Sequence, residues 1–253
     1  MFLRSCPPLK LGMLVALNLL CGGCSNTPAD LDLPGSSAVV SSEPTLAEQL
    51  AAVVSGKSDK VQLTSTPVDD TICESLLKTP EIAILQFDHA ENRLSATGLK
   101  GLRSLPSLIH LRIRSGLIDD AAADEISQIK SLVILNIPQT TITRAGLEKL
   151  ATLPNLVQLR LSSPLLDDEA MDLLATFPKL KRIHFIDLPI TDVSLEKFTK
   201  LEKLESLYLD GGNFSDAKIE WLVDTRPDLH LHLNQQHHDR DPKKEDHGPH
   251  LPE

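Results

Sequence analysis

A leucine recurs every 24 residues through the middle of this chain, at Leu108, Leu132, Leu156, Leu180 and Leu204. No other feature constrains the fold as strongly. A unit this short cannot enclose a core of its own, so it must stack on copies of itself. With that leucine as offset zero, apolar residues return at offsets three and five: Leu111 and Ile113, Leu135 and Ile137, Leu159 and Leu161, Ile183 and Phe185, Leu207 and Leu209. Offset ten is apolar too (Ile118, Ile142, Leu166, Ile190, Phe214), as is offset eighteen (Ile126, Leu150, Leu174, Phe198, Leu222). The register extends back through Ile82, Leu85 and Phe87 to a degenerate unit at Val61, Leu63, Val68 and Leu76. Forward, "DLHLHL" at Asp228 to Leu233 supplies one last strand without a helix.

Alternation through offsets three to five has period two and predicts a strand with one buried face. Offset eleven is Asp69, Ser95, Asp119, Thr143, Asp167, Thr191 and Ser215 in successive units. Each of these side chains carries an oxygen that can accept from the free amides of a helix's first turn. An acid often follows (Asp120, Asp168, Asp192, Asp216) and suits the positive end of the helix dipole. A helix of about two turns is therefore predicted from offset twelve, with offsets fifteen and eighteen facing inward. Pro106, Pro154 and Pro178 stop it.

A doubly wound sheet or an α/β barrel also alternates strands and helices. Those folds need units of roughly 30 residues or more, and their strands are apolar on both faces. Here the residue between the buried pair is Arg112, Asn136, Arg160, His184 or Tyr208, which makes one sheet face wet. The expectation is an open α/β solenoid, a right-handed superhelix with a curved parallel sheet on its concave face and short helices on its convex face.

"LVILNIPQTTITRAGLEKLATLPNL" at Leu132 to Leu156 resembles the leucine-rich repeat, in the short bacterial and ribonuclease-inhibitor-like variety. The resemblance covers about residues 58–234. That family usually places an asparagine or cysteine at offset eight, where this chain has Gly116, Thr140, Pro164, Leu188 and Gly212, so its ladder is absent or reduced to Thr140. The resemblance implies a concave surface offered to another macromolecule.

The first 23 residues read as an export signal: Arg4 and Lys10, then an apolar run from Leu11 to Cys21. That run is too short to span a bilayer, which takes about 20 residues. It ends in "LCGGC", which resembles a bacterial lipoprotein cleavage box with Cys24 as the lipidated residue, although Cys21 stands where the box prefers leucine. Ser25 follows, which in a two-membrane bacterium resembles an outer-membrane anchor facing the periplasm. Residues 24–42 are rich in Pro, Ser and Ala and are predicted to form a tether. Residues 43–57 are predicted to form a helix capping the open end of the array, and the charged tail 235–253 is predicted to be disordered. Cys73, at an inward helix position, reads as a small buried apolar residue rather than a reactive thiol.

The chain carries a formal charge of −10 and few aromatics, which argues against a nucleic-acid partner. There is no glycine-rich phosphate loop, no Gly-x-Ser-x-Gly and no His-Glu-x-x-His, so no catalysis and no cofactor are expected. Paired acids such as Asp119–Asp120 recur at one repeat position and read as helix caps, not acid–base pairs. Function should sit on the inner face, at offsets two, four and six. Across the four central repeats those positions hold His110, Arg112, Arg114, Arg160, Arg182 and His184 and no acid, with Asp88 and Asp210 on either side. These six residues form the candidate site for a protein partner bearing an acidic segment, and the protein is expected to act as a monomer. The alternative reading is metal binding through the histidine-rich C-terminus, by His230, His232, His237 and His238.

Overall fold

The computed structural model describes residues 43–91, 93–115 and 118–242. The export signal, the tether, Cys24, His247 and His250 lie outside these residues. Eight strands pair in parallel and in chain order: β1 (Lys60–Leu63), β2 (Ile84–Phe87), β3 (His110–Ile113), β4 (Ile134–Ile137), β5 (Gln158–Leu161), β6 (Arg182–Ile186), β7 (Ser206–Asp210) and β8 (His230–Leu233). A ninth, β9 (Gln236–His237), pairs antiparallel with β8. Helix α1 (Leu46–Val54) precedes the array. Between the strands come α2 (Asp70–Leu76), α3 (Ala96–Lys100), α4 (Asp120–Ser127), α5 (Arg144–Leu150), α6 (Asp192–Phe198) and α7 (Asp216–Thr225). The fold is a leucine-rich repeat solenoid.

The strand register turns the 24-residue period into continuous rows. Leu111, Leu135, Leu159, Ile183, Leu207 and Leu231 are successive cross-strand partners, and all are buried. Neighbouring strands lie about 4.8 Å apart, so each leucine packs directly on the next. All seven offset-eleven side chains accept a first-turn amide of their own helix. One unit differs. Residues Glu169–Thr176 wind as a 3₁₀ helix, and the carbonyls of Asp168 and Glu169 accept from Lys197 Nζ and Arg144 Nη1 of the flanking repeats. Thr140 at offset eight donates its hydroxyl to the carbonyl of Ser162 at 2.7 Å. Cys73 is buried, which pushes its thiol up to about 12.

The acids at offset twelve do more than face a dipole. Asp70, Asp120, Asp168 and Asp192 each accept both the amide and the hydroxyl of the capping residue in the next repeat: Ser95, Thr143, Thr191 and Ser215 respectively. Where the preceding repeat lacks the acid and has Ala96 or Arg144 instead, the next cap is itself an aspartate, Asp119 or Asp167. A carboxylate cannot donate to another carboxylate, so the two cap chemistries alternate with the acid below them. Burial pushes Asp168 up, but hydrogen bonds from Ser194 and Thr191 outweigh it and hold the carboxyl below its ordinary value. Hydrogen bonds from the Ser215 hydroxyl and amide hold Asp192 down likewise.

Both ends of the sheet are covered. At β1, Gln49 of α1 pairs with the strand like one more backbone unit, donating to the Gln62 carbonyl at 2.8 Å and accepting the Gln62 amide at 2.7 Å. Glu43 accepts the amides of Thr64 and Ser65 and the Ser65 hydroxyl, and its carboxyl falls to about 2 because of those bonds. At the other end the predicted disorder of 235–253 is corrected for residues 235–242 alone, since 243–253 lie outside the described residues. Asn234 and Gln235 both take positive φ (49° and 65°), the arrangement of a tight primed hairpin turn, and the chain folds back on β8.

Gly146 gives a test of the offset-twelve ladder. Its amide donates to Asp120 Oδ1 at 3.0 Å, and a Cβ there would stand 2.4 Å from the same oxygen. Alanine in a helix interior normally adds up to about 1 kcal/mol over glycine. Gly146→Ala should instead destabilise by about 1–3 kcal/mol, as overpacking does, and most of that loss should disappear in the Asp120→Ala background. Urea midpoints of the four proteins check this. A Gly146→Ala midpoint above the parent would remove the ladder from the account.

Candidate functional site

The middle row of the concave face is built by the strand register. Gln86, Arg112, Asn136, Arg160, His184, Tyr208 and His232 follow one another as cross-strand partners. This face is drier than the alternation predicts. Gln86 and Asn136 are buried, and Arg112 is only 3% exposed, because a long side chain on a close-spaced ladder covers its neighbours as well as itself.

The candidate residues separate into three groups. At the N-terminal end, Arg112 grips Asp88 with Nε at 2.8 Å and Nη2 at 2.6 Å, and Arg114 Nε reaches the same carboxylate at 3.5 Å. The flanking acid thus folds into the strip. His110 beside them is held below the ordinary imidazole value by burial and by the charges of Arg112 and Lys60, so it is the poorer proton acceptor. In the centre, Arg160 is half-buried between Asn136 and His184, and Arg182 on the neighbouring row is exposed. At the C-terminal end, His184 Nε2 lies 2.9 Å from Asp210 Oδ2, and its ring sits 5.5 Å from that of Tyr208. Four arginines therefore face two carboxylates along this surface.

The histidines of the metal reading are divided by the fold. His230, His232 and His237 come together, with His230 and His232 buried. His238 turns away and places its Nε2 3.4 Å from Glu220 of α7. Its place in the cluster is taken by Asp241, a residue the sequence reading did not single out. The spacing His237-x-x-x-Asp241 was visible, but only the hairpin at residues 234–235 makes it count.

No protein-family model and no curated protein sequence matches the chain. Among solved structures, the chain is similar to an internalin C2 of Listeria monocytogenes, at 19% identity and a TM-score of 0.48, over 68% of this chain and 69% of that one. A second internalin of the same organism matches at 17% identity and a TM-score of 0.44, over 69% of this chain and 48% of that one.

The Asp88–Arg112 pair carries its own prediction. Removing one partner of a buried ion pair leaves an uncompensated charge and costs about 3–5 kcal/mol, whereas replacing both with apolar residues of similar volume is close to neutral. Arg112→Ala should therefore unfold at markedly lower denaturant, and Arg112→Leu with Asp88→Leu should recover most of the loss. A single variant as stable as the parent would mean that the pair holds nothing.

Proposed function

We propose that this protein is a non-catalytic scaffold whose concave face holds a partner protein through an acidic segment. The observation that carries the reading is the arginine set of the concave face, half-buried Arg114 and Arg160 and exposed Arg182, on a chain whose formal charge is −10. Arginine suits the task because its planar fork takes a carboxylate by two bonds and it stays charged at any relevant pH. Arg112 is committed to Asp88 inside the sheet, so its part is to fix the strand end from which Arg114 reaches out. His184, held by Asp210, and His110 flank the arginines at the two ends of the strip.

Arg182→Glu with Arg160→Glu tests the surface and leaves the Asp88 pair with both of its arginines. Surface substitutions of this kind change stability by no more than about 0.5 kcal/mol. A charge desolvated on binding costs about 2–5 kcal/mol when its contact is broken. Capture of a partner from a cell-envelope extract should fall at least about tenfold, with the melting temperature nearly unchanged, and added salt should weaken the parental complex through screening. Equal capture by parent and double variant at every salt concentration would show that these arginines only solvate the sheet.

The proposal places the scaffold at the cell envelope, anchored through acylated Cys24 and facing the periplasm from an outer membrane. What supports this is the "LCGGC" segment and the Ser25 that follows it. Acyl chains supply such anchorage, so Cys24→Ala should move the protein from the membrane pellet to the soluble fraction. Parent protein that is already soluble and carries no lipid mass would overturn the anchor.

A further inference from the structure

We propose that His230, His232, His237 and Asp241 bind one divalent ion of the zinc class, and that this ion closes the C-terminal end of the repeat array. The inference does not rest on the partner-binding reading, and its residues lie at the C-terminal end of the same sheet face.

Three local facts bring the four residues together. His230 and His232 are two apart on β8 and so project from the same sheet face. The hairpin at Asn234 and Gln235 then reverses the chain, and the register sets His237 directly opposite His232. Four residues on, the Asp241 amide donates to the His238 carbonyl at 2.9 Å, and the Asp241 side chain is fully buried against the histidines. The turn is pinned from the array itself, since Gln235 donates its amide to Asp210 Oδ1 at 2.9 Å and Asn234 Oδ1 accepts the Gly211 amide at 2.9 Å.

The geometry fits an ion. One donor atom from each of the four residues lies within 4.8 Å of every other. Asp241 Oδ2 lies 2.8 Å from His230 Nδ1 and 3.1 Å from His237 Nδ1, and the His232 ring closes the group with its Nε2 3.1 Å from the outer nitrogen of His230, Nε2. Bonds of 2.0–2.1 Å in a tetrahedron put neighbouring ligand atoms roughly 3.3 Å apart, so small rotations of the rings suffice. Each imidazole must present one nitrogen to the ion and turn the other to a hydrogen-bond partner. Tyr208 Oη, 3.1 Å from His230 Nε2 and stacked on His232 with ring centroids 4.2 Å apart, stands where such a partner belongs.

The donor set also selects the ion class. Three imidazoles and one carboxylate suit zinc, nickel or copper, whereas calcium and magnesium ask for oxygen. Four protein ligands leave no open position, the arrangement of a structural rather than a catalytic site. The structural task is evident from the fold. A solenoid must protect its last strand, and β9 covers β8 with only two residues. Among the described residues, Arg240 adds ion pairs to Asp224 and Glu220 of α7, which hold the same segment from the other side. An ion bound by two residues of β8 and two of the returning segment would make that cover permanent.

The test uses the full chain, stripped with chelator and titrated with zinc chloride. One zinc per chain should bind with a dissociation constant below about 1 µM. In hundredfold excess over that constant, zinc should raise the melting temperature by about 5–10 °C. Cobalt in place of zinc should give the intense visible absorption of a tetrahedral site. His232→Ala and Asp241→Asn should each weaken binding more than about tenfold. His237 is half-buried on a two-residue strand, so His237→Ala leaves the array folded and reports the ligand alone. By contrast, His238→Ala with His247→Ala and His250→Ala should leave affinity unchanged. Parental zinc affinity in His237→Ala and His232→Ala, loss of binding in the tail variant, or affinity weaker than about 10 µM in the parent would each overturn the site.

Discussion

A 24-residue strand and helix cannot bury its own apolar face, and the remainder of this structure follows from that shortage. Each unit is stable only as a neighbour, so the rows from Leu111 to Leu231 and from Ile113 to Leu209 gain their burial from the repeats on either side. Parallel pairing keeps equivalent residues in register, even where two extra residues before Leu94 lengthen one repeat. It also means that a polar residue repeated at one offset meets its own equivalent along the sheet or helix rank. The protein resolves this in two ways: the convex rank alternates hydroxyl and carboxylate caps according to the acid below, and the concave rank alternates amide, cation and ring.

That dependence explains what was legible in the sequence. Period, strand, cap and helix were readable because each rests on residues within one unit: the leucine at offset zero, the alternation through offset five, the oxygen at offset eleven. The cross-repeat bonds of Asp70, Asp120, Asp168 and Asp192 were visible as acids but were assigned to their own helix dipoles. A signal for them did exist. Hydroxyl caps follow acids, and aspartate caps follow Ala96 and Arg144, so comparing each unit with the one before it, rather than with an average unit, would have shown the pairing. The glycines say the same thing, because Gly98 and Gly146 each lie where a Cβ would collide with the aspartate of the preceding repeat.

The inner face was legible in composition but not in charge balance. Arg112 reads as a solvent-facing cation, yet Asp88, one repeat back and two positions on, takes it out of solvent. His184 and Asp210 repeat the arrangement in reverse order along the array. Both aspartates sit at offset six and reach offset four of a neighbour, a diagonal that counting along a single strand does not reveal. The start of the tail, residues 235–242, departs from its expected disorder for a related reason. A charged, proline-bearing composition suggests disorder, whereas residues 235–242 are decided by two left-handed residues and a buried carboxylate.

Asp210 joins the two sites. One of its oxygens lies against His184 on the concave face, and the other accepts the Gln235 amide in the turn that carries His237 to His232. Tyr208 makes a second link, with His184 on one side and His230 and His232 on the other. The C-terminal end of the concave strip is therefore supported by the same hairpin that gathers the proposed metal ligands. An ion that fixes the hairpin would hold Asp210, and through it the orientation of His184, while the arginines at the N-terminal end meet at Asp88. The two ends of the inner face rest on different interactions. Ordering at the metal end need not alter Arg114, because packed strands transmit constraint only through contacts they share.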